Sequence, residues 1–263
     1  MDLQLTKKTA LVTGSTAGIG NAIAASLARE GAKVIVTGRT PAAVAAAVVA
    51  MKSATGGDVV GFAGDLSLAS VAENLIVKHP HVDVLVNNLG IFEVKPFEQI
   101  TDAEWLRFFD VNVLSGARLA RLYLPSMRMR KWGRIIFISS ESALHIPAEM
   151  IHYGMTKAAQ IAVARGLAET TAGSGITVNS VLPGPTRSRG VGDFVADMAA
   201  KSGKSAKTVE DEFFKSARPT SLLKRFATPE EVAALVTFVA SPLSAATNGA
   251  ALRVDGGVVK SAF

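Results

Sequence analysis

Apolar and polar positions along the chain fall into short β-branched runs at 10–13, 34–37, 59–62 and 82–86, starting about 25 residues apart with helical patterns between them. This rhythm is βα repetition. Parallel strands need a crossover of a dozen or more residues, and right-handed crossovers place the helices on both faces of one sheet. Further runs at 134–138, 176–181 and 250–254 bring the expected sheet to seven strands. Between the second and third runs, Pro41 suits a helix's first turn, and Val44, Val48 and Met51 follow at i, i+4 and i+7, which predicts an amphipathic helix. The one low-apolar stretch, 201–207, is late and short, and no Pro/Ser-rich linker divides the chain. A single domain over residues 1–263 with a late insertion is expected.

Composition narrows the chemistry. The chain has 263 residues, 49% of them hydrophobic, and no cysteine, so disulfides, thiolate catalysis and cysteine-held metals are excluded and a reducing compartment, the cytoplasm, is expected. The longest apolar run, 42–51, has ten residues and is mostly alanine, far short of the roughly 18 needed to cross a bilayer. Lys7 and Lys8 precede an apolar stretch too short for a secretion signal, so a soluble protein without a membrane partner is expected. The net charge of +6 favours anionic partners, which a nucleotide satisfies as well as a nucleic acid does.

Directly after the first run comes TGSTAGIG at 13–20, followed by an alanine-rich helical pattern to about Arg29. A strand-to-helix turn aims free N–H groups and the positive end of the helix dipole at one point, and glycines let a pyrophosphate approach. The spacing is G-x-x-x-G-x-G, which departs from the common dinucleotide fingerprint and lacks the Lys-Ser/Thr of a P-loop. Alone, it reads equally as a tight turn with close helix–strand packing.

Tyr153 and Lys157 stand at i and i+4 in a helical pattern and share a face, 13 residues beyond Ser140 at the nearer member. An ammonium beside a phenol lowers its pKa and makes it usable as an acid or base near neutrality. A lone Y-x-x-x-K is more often an interfacial tyrosine with a solvated lysine.

The motifs do not stand alone. TGSTAGIG at 13–20, Asp65 in GDLS, NNLG at 87–90, Asn112 in DVNV, Ser139-Ser140, YGMTK at 153–157 and PGPT at 183–186 occur in the order and at the spacings of the short-chain dehydrogenase/reductase family, which the chain resembles along nearly its whole length. The resemblance implies an α/β fold of Rossmann type, a doubly wound seven-stranded parallel sheet with helices on both faces. It implies hydride transfer between a nicotinamide and a ketone or secondary alcohol, with Tyr153 as proton donor, Ser140 on the carbonyl oxygen and Lys157 on the nicotinamide ribose. Asn112 would keep a water in the proton relay. Cofactor contacts are expected from Gly14, Ser15, Thr16, Gly18, Ile19, Gly20, Arg39, Asp65, Leu66, Asn88, Gly90, Pro183, Gly184 and Thr186 together with Tyr153 and Lys157. Asp65 would meet the adenine amino group or serve as a turn residue ahead of Leu66 and Ser67. Asn88 would support the cofactor loop, while Leu89 replaces the small residue usual in that motif.

The end of the second run, Val36-Thr37-Gly38-Arg39, bears on the cofactor, Arg39 being either a phosphate ligand or a solvated loop residue that tolerates both nicotinamide cofactors. An acid there would bond the adenosine ribose and repel a 2′-phosphate. Instead Arg39 offers a guanidinium, with Thr40 and Ser15 hydroxyls beside it, so NADP(H) is expected over NAD(H). Substrate contacts are expected from Ser142, His145, Met150 and Phe194. The family places a substrate lid at about 187–216, where glycines at 190, 192 and 203 permit hinging and apolar residues mix with lysine and arginine. That mixture suits an apolar ketone or a thioester on an acidic carrier. The four histidines form no metal cluster, and the basic run Arg128, Arg130, Lys131, Arg134 reads as a solvated loop. Helical patterns at 106–127 and 160–171 carry apolar residues on more than one face, and the family that the chain resembles pairs these helices across a two-fold axis, so the resemblance implies a homotetramer with the tail 258–263 at a second interface. A nucleotide-binding sensor or scaffold of the same fold, and nucleic-acid binding through the basic run, are the competing readings.

Overall fold

The computed structural model describes residues 1–262, without the side chains at 189, 190, 193, 194, 195 and 197. Seven parallel strands form one sheet in the order β3-β2-β1-β4-β5-β6-β7: β1 Thr9–Val12, β2 Lys33–Gly38, β3 Val59–Ala63, β4 Val84–Asn87, β5 Gly133–Ile138, β6 Ile176–Pro183 and β7 Ala251–Val254. The order reverses between β1 and β4. Helices α1 Gly18–Arg29, α2 Pro41–Thr55, α3 Ala69–Lys78, α4 Asp102–Phe109, α5 Ser115–Arg130, α6 Ile151–Thr170, α7 Arg189–Ser202, α8 Ala206–Ser216 and α9 Pro229–Ala240 make up the rest, with short helical turns in the connections. This is the expected Rossmann-type doubly wound fold.

Alternation along the strands builds two cores. Ala10 and Val12 of β1, Val34 and Val36 of β2, and Ile136 and Ile138 of β5 face one way, against Ile23 of α1, Met51 of α2 and Val236 of α9. Leu11, Ile35, Ile135 and Phe137 face the other way, against Leu75 of α3, Tyr123 of α5 and Ala164 of α6. Strands buried on both faces are apolar almost throughout, which is why they read as continuous runs rather than as alternating ones. A third cluster, Val209 and Phe214 of α8 with Phe226, anchors the second half of the expected lid to the body of the protein.

Two sequence expectations change. Arg134 is not in a solvated loop: it lies in β5, 2% exposed, with Nε donating to the Ser241 carbonyl at 3.2 Å and Nη1 to those of Gly133 and Gly175. Carbonyls rather than water satisfy its donors, and burial holds its pKa below the usual value. Asn112 is not in an α-helix: α4 and α5 join through a π turn, Asp110–Leu114, in which the Ser115 N–H reaches back five residues to the Asp110 carbonyl. The wider turn accompanies a side chain clamped elsewhere, since Asn112 bonds the segment after β4.

Candidate active site

The reversal between β1 and β4 is where an open parallel sheet leaves a crevice at the carboxyl ends of its strands. Gly14, Thr16, Thr37, Gly38, Arg39, Gly64, Asp65, Leu66 and Leu89 line a cleft there. α1 starts at Gly18, and its N-cap residue, Ala17, makes no side-chain cap. The first N–H groups of Gly18, Ile19 and Gly20 thus face the crevice end without a capping side chain, as an anion site requires. A Cβ on Gly20 would lie 2.5 Å from both Asn88 Nδ2 and the Gly14 carbonyl, so only glycine allows the loop to close this tightly. Asn88 braces it, donating from Nδ2 to the Thr13 carbonyl at 2.9 Å and that of Gly14 at 3.1 Å.

At the end of β2 the cleft holds one cationic side chain, Arg39, with the Asp65 carboxylate in the same lining. Arg39 is exposed, and Thr40 caps α2, its hydroxyl accepting from Ala43 N. A Cβ on Gly38 would meet Thr16 Cγ2 at 2.5 Å and Val44 Cγ2 at 3.2 Å. The Ser15 hydroxyl, expected beside a 2′-phosphate, is turned inward instead. The residue is fully buried, with Oγ donating to the Val12 carbonyl at 2.7 Å and accepting from Thr37 N at 2.9 Å. It ties β1 to β2 and has no hydroxyl to spare. The Asp65 carboxylate accepts from both the backbone N–H and hydroxyl of Ser67 at 3.0 and 2.7 Å, the turn-residue arrangement. The Ser67 hydroxyl bond, outweighing burial, holds its pKa below the usual carboxylate value. Pro183 ends β6, Gly184 follows, and the Thr186 hydroxyl donates to the Gly184 carbonyl at 2.9 Å.

The chemistry-bearing residues gather across the sheet from α6. Tyr153 and Lys157 lie on one helix face, the ammonium 5.5 Å from the centre of the phenol ring. Ser140 follows β5, its Oγ accepts from Ser142 N at 3.1 Å, and it lies near enough to the Tyr153 phenol to draw the phenol's pKa down. Gly90, after β4, lies where an added Cβ would stand 3.4 Å from Asn112 Oδ1 and 3.5 Å from Lys157 Nζ. Asn112 is 1% exposed, with Oδ1 accepting from Ile91 N at 2.8 Å and Nδ2 donating to the Ile91 carbonyl and the Thr156 hydroxyl at 3.0 and 2.9 Å. The four expected catalytic residues are thus brought together.

Their protonation differs from the sequence expectation. Burial pushes the Tyr153 phenol up to about 12, more than the Ser140 hydroxyl brings it down. Burial also pushes Lys157 down, to about 7. The ammonium was expected to lower the phenol; in the protein it is engaged by the Ile138 carbonyl at 2.9 Å and Gln160 Oε1 at 3.2 Å. Both groups pay for desolvation before a ligand arrives.

A charge pair unseen in the sequence sits beside them. Glu141, next to Ser140, accepts from Arg218 Nε at 2.9 Å and from the Ser142 hydroxyl at 2.5 Å, with the two charged side chains 4% and 8% exposed. Ser142, expected against substrate, therefore spends its hydroxyl on Glu141. His145 is exposed between Leu144 and Ile146, themselves 49% and 50% exposed, and Met150 is half-buried. Phe194 lies outside the described residues. Among the described residues no group of three or more His, Cys, Asp or Glu could hold a metal ion, and no helix is long and apolar enough to cross a membrane.

Comparison with known proteins gives the same picture. The family model described as enoyl-(acyl carrier protein) reductase matches residues 14–259. The chain is 48% identical, over the full length of both chains, to the uncharacterized oxidoreductase YvaG of Bacillus subtilis. It is 35% identical to a D-beta-hydroxybutyrate dehydrogenase of Cupriavidus necator, across 97% of this chain and 99% of the relative. Among solved structures, an L-sorbose reductase of Gluconobacter frateurii complexed with NADPH and L-sorbose superposes with a TM-score of 0.93 at 30% identity, covering 99% of this chain and 100% of that one. On a match of this length and on relatives aligned end to end, the chain belongs to the short-chain dehydrogenase/reductase family of oxidoreductases.

Proposed function

We propose that the protein is an NADPH-dependent carbonyl reductase, acting on a ketone or a 3-oxoacyl thioester. The observation that carries the reading is the Tyr153 phenol with the Lys157 ammonium 5.5 Å from the centre of its ring and the Ser140 hydroxyl near enough to draw its pKa down. A phenol held at about 12 keeps its proton throughout the neutral range, as a donor to a developing alkoxide must. When bound, the nicotinamide supplies the hydride. The residues of the chain do the rest: Ser140 donates to the carbonyl oxygen, Tyr153 gives it a proton, and Lys157 holds the ribose. The uncapped start of α1 takes the pyrophosphate, and Arg39 the 2′-phosphate. The NADPH complex of the sorbose reductase supports this cofactor. An NADPH-oxidation screen over aliphatic, steroid and bicyclic ketones, ketose sugars and β-ketoacyl thioesters tests the function. Turnover on none of them, with NADPH bound, would favour a sensor or scaffold.

The lid at 187–216 we place over the substrate, with one refinement. Val209 and Phe214 pack on Phe226, and Glu210 pairs with Arg187, so α8 is anchored rather than free. Hydrogen exchange in α8 is expected to be nearly the same with and without NADPH, and a large gain in protection there would return α8 to the moving part.

A cytoplasmic homotetramer is the assembly we propose. Leu106 and Phe109 on α4 are 65% and 41% exposed, and a Cβ on Gly166 of α6 would meet nothing within 4 Å, which suits close helix pairing. Arg253 Nη1 holds the tail through the Ser261 carbonyl at 2.7 Å, while Phe263 lies outside the described residues. Light scattering at micromolar concentration is expected to give four times the 27.4 kDa subunit mass, and a one-subunit mass would refute the assembly.

A further inference from the structure

Gln160 lies on α6 three residues beyond Lys157 and is 1% exposed. Its Oε1 accepts from Lys157 Nζ at 3.2 Å, and its Nε2 donates to the main-chain carbonyl of Asn112 at 2.6 Å. A buried amide must spend both ends, and here one end meets the side chain of one expected catalytic residue and the other the main chain of a second. We propose that Gln160 is a positioning residue for the reaction, clamping the Lys157 ammonium against the π turn that carries Asn112. With the Ile138 carbonyl at 2.9 Å on the other side, two of the three ammonium N–H groups are fixed and one is left for a ligand. A primary amide does not pass protons on as a water or hydroxyl does. The contact therefore fixes the lysine rather than relaying its proton.

The neighbours of the ammonium make this clamp matter. Tyr153, on the same helix, is the titratable group beside it, while β5 brings the Ile138 carbonyl, the π turn brings Asn112 and the segment after β4 brings Gly90. Glu141 and Arg218, paired to each other, act on Tyr153. Burial already pushes Lys157 down to about 7, so its charge near neutrality depends on the few acceptors it has.

The test reads Lys157 directly. Protein carrying 13C at lysine Cε is titrated without cofactor or substrate, the Lys157 signal being identified by its loss in Lys157→Met. Gln160→Leu removes the acceptor, and the Lys157 midpoint is expected to fall by about one pH unit, as one charge-assisted hydrogen bond implies. Gln160→Glu puts a carboxylate there, and the midpoint is expected to rise above that of the wild type. NADPH affinity, followed by its fluorescence, should weaken in Gln160→Leu more above neutrality than below it. An unchanged midpoint in the folded variants would overturn the proposal; if Gln160→Leu fails to fold, Gln160→Glu decides by the same criterion. The inference rests on reading Lys157 as the cofactor-holding residue. Because the titration contains neither cofactor nor carbonyl, its failure and an empty substrate screen are separate outcomes.

Discussion

Phenylalanine at position 153 is expected to lower carbonyl reduction by at least about 100-fold, the lower range for a positioned proton donor, while NADPH still binds. The ring stays, packed edge-on at 6.4 Å from Phe92, and only the hydroxyl near Ser140 is lost. The pH dependence of the wild type follows from the same site. In the proposed mechanism, reduction uses protonated Tyr153 and charged Lys157. The first, at about 12, does not titrate near neutrality, whereas the second, pushed down to about 7, loses its charge as pH rises. The free-enzyme profile, kcat/KM against pH, is therefore expected to be level on the acid side and to fall above about 7. A Tyr153→Phe enzyme that keeps most of its turnover would remove the phenol from the mechanism.

Arg39→Ala is expected to cut kcat/KM for NADPH by about 10- to 150-fold and to spare NADH, from the loss of one charge-assisted contact of about 1.5–3 kcal/mol. Arg39 is exposed at the cleft rim, so its removal leaves the fold intact. The inward turn of Ser15 sharpens the expectation, because that hydroxyl cannot make up for the lost guanidinium. Equal weakening of both cofactors would show that Arg39 serves the shared part of the dinucleotide. Wild type that prefers NADH would sink the assignment altogether.

Much of this was legible from residue pattern. Strands buried on both faces need apolar runs, and the seven runs fall on the seven strands within a residue or two. The i, i+4 spacing of Tyr153 and Lys157 alone places them on one face of α6. What stayed hidden depends on partners distant in the chain or on side-chain direction. Arg218 finds Glu141 across 77 positions, and no local pattern pairs them. Arg134 looked solvated because its neighbours are basic, yet three carbonyls that satisfy it come together only when β5 lies in the sheet. Ser15 in a glycine loop gave no sign of which way its hydroxyl turns. Gln160 carried a faint signal, a polar residue three positions past Lys157 on the inward face of its helix, but its meaning needed the π turn at Asn112.

The crowding of Gly38 against Thr16 constrains how this enzyme could change its coenzyme by mutation. An aspartate introduced at 38 alone would bring its Cβ to 2.5 Å from a methyl group, so it would carry a steric penalty before its carboxylate met a ribose. Thr16→Ser deletes that methyl and removes no charge, so it can come first at little cost. The two substitutions are then coupled: Gly38→Asp is expected to cost less after Thr16→Ser than before it, with the Val44 methyl at 3.2 Å left to give way. Packing as well as charge thus stands between position 38 and an acidic residue, and a change of that kind is best begun at residue 16.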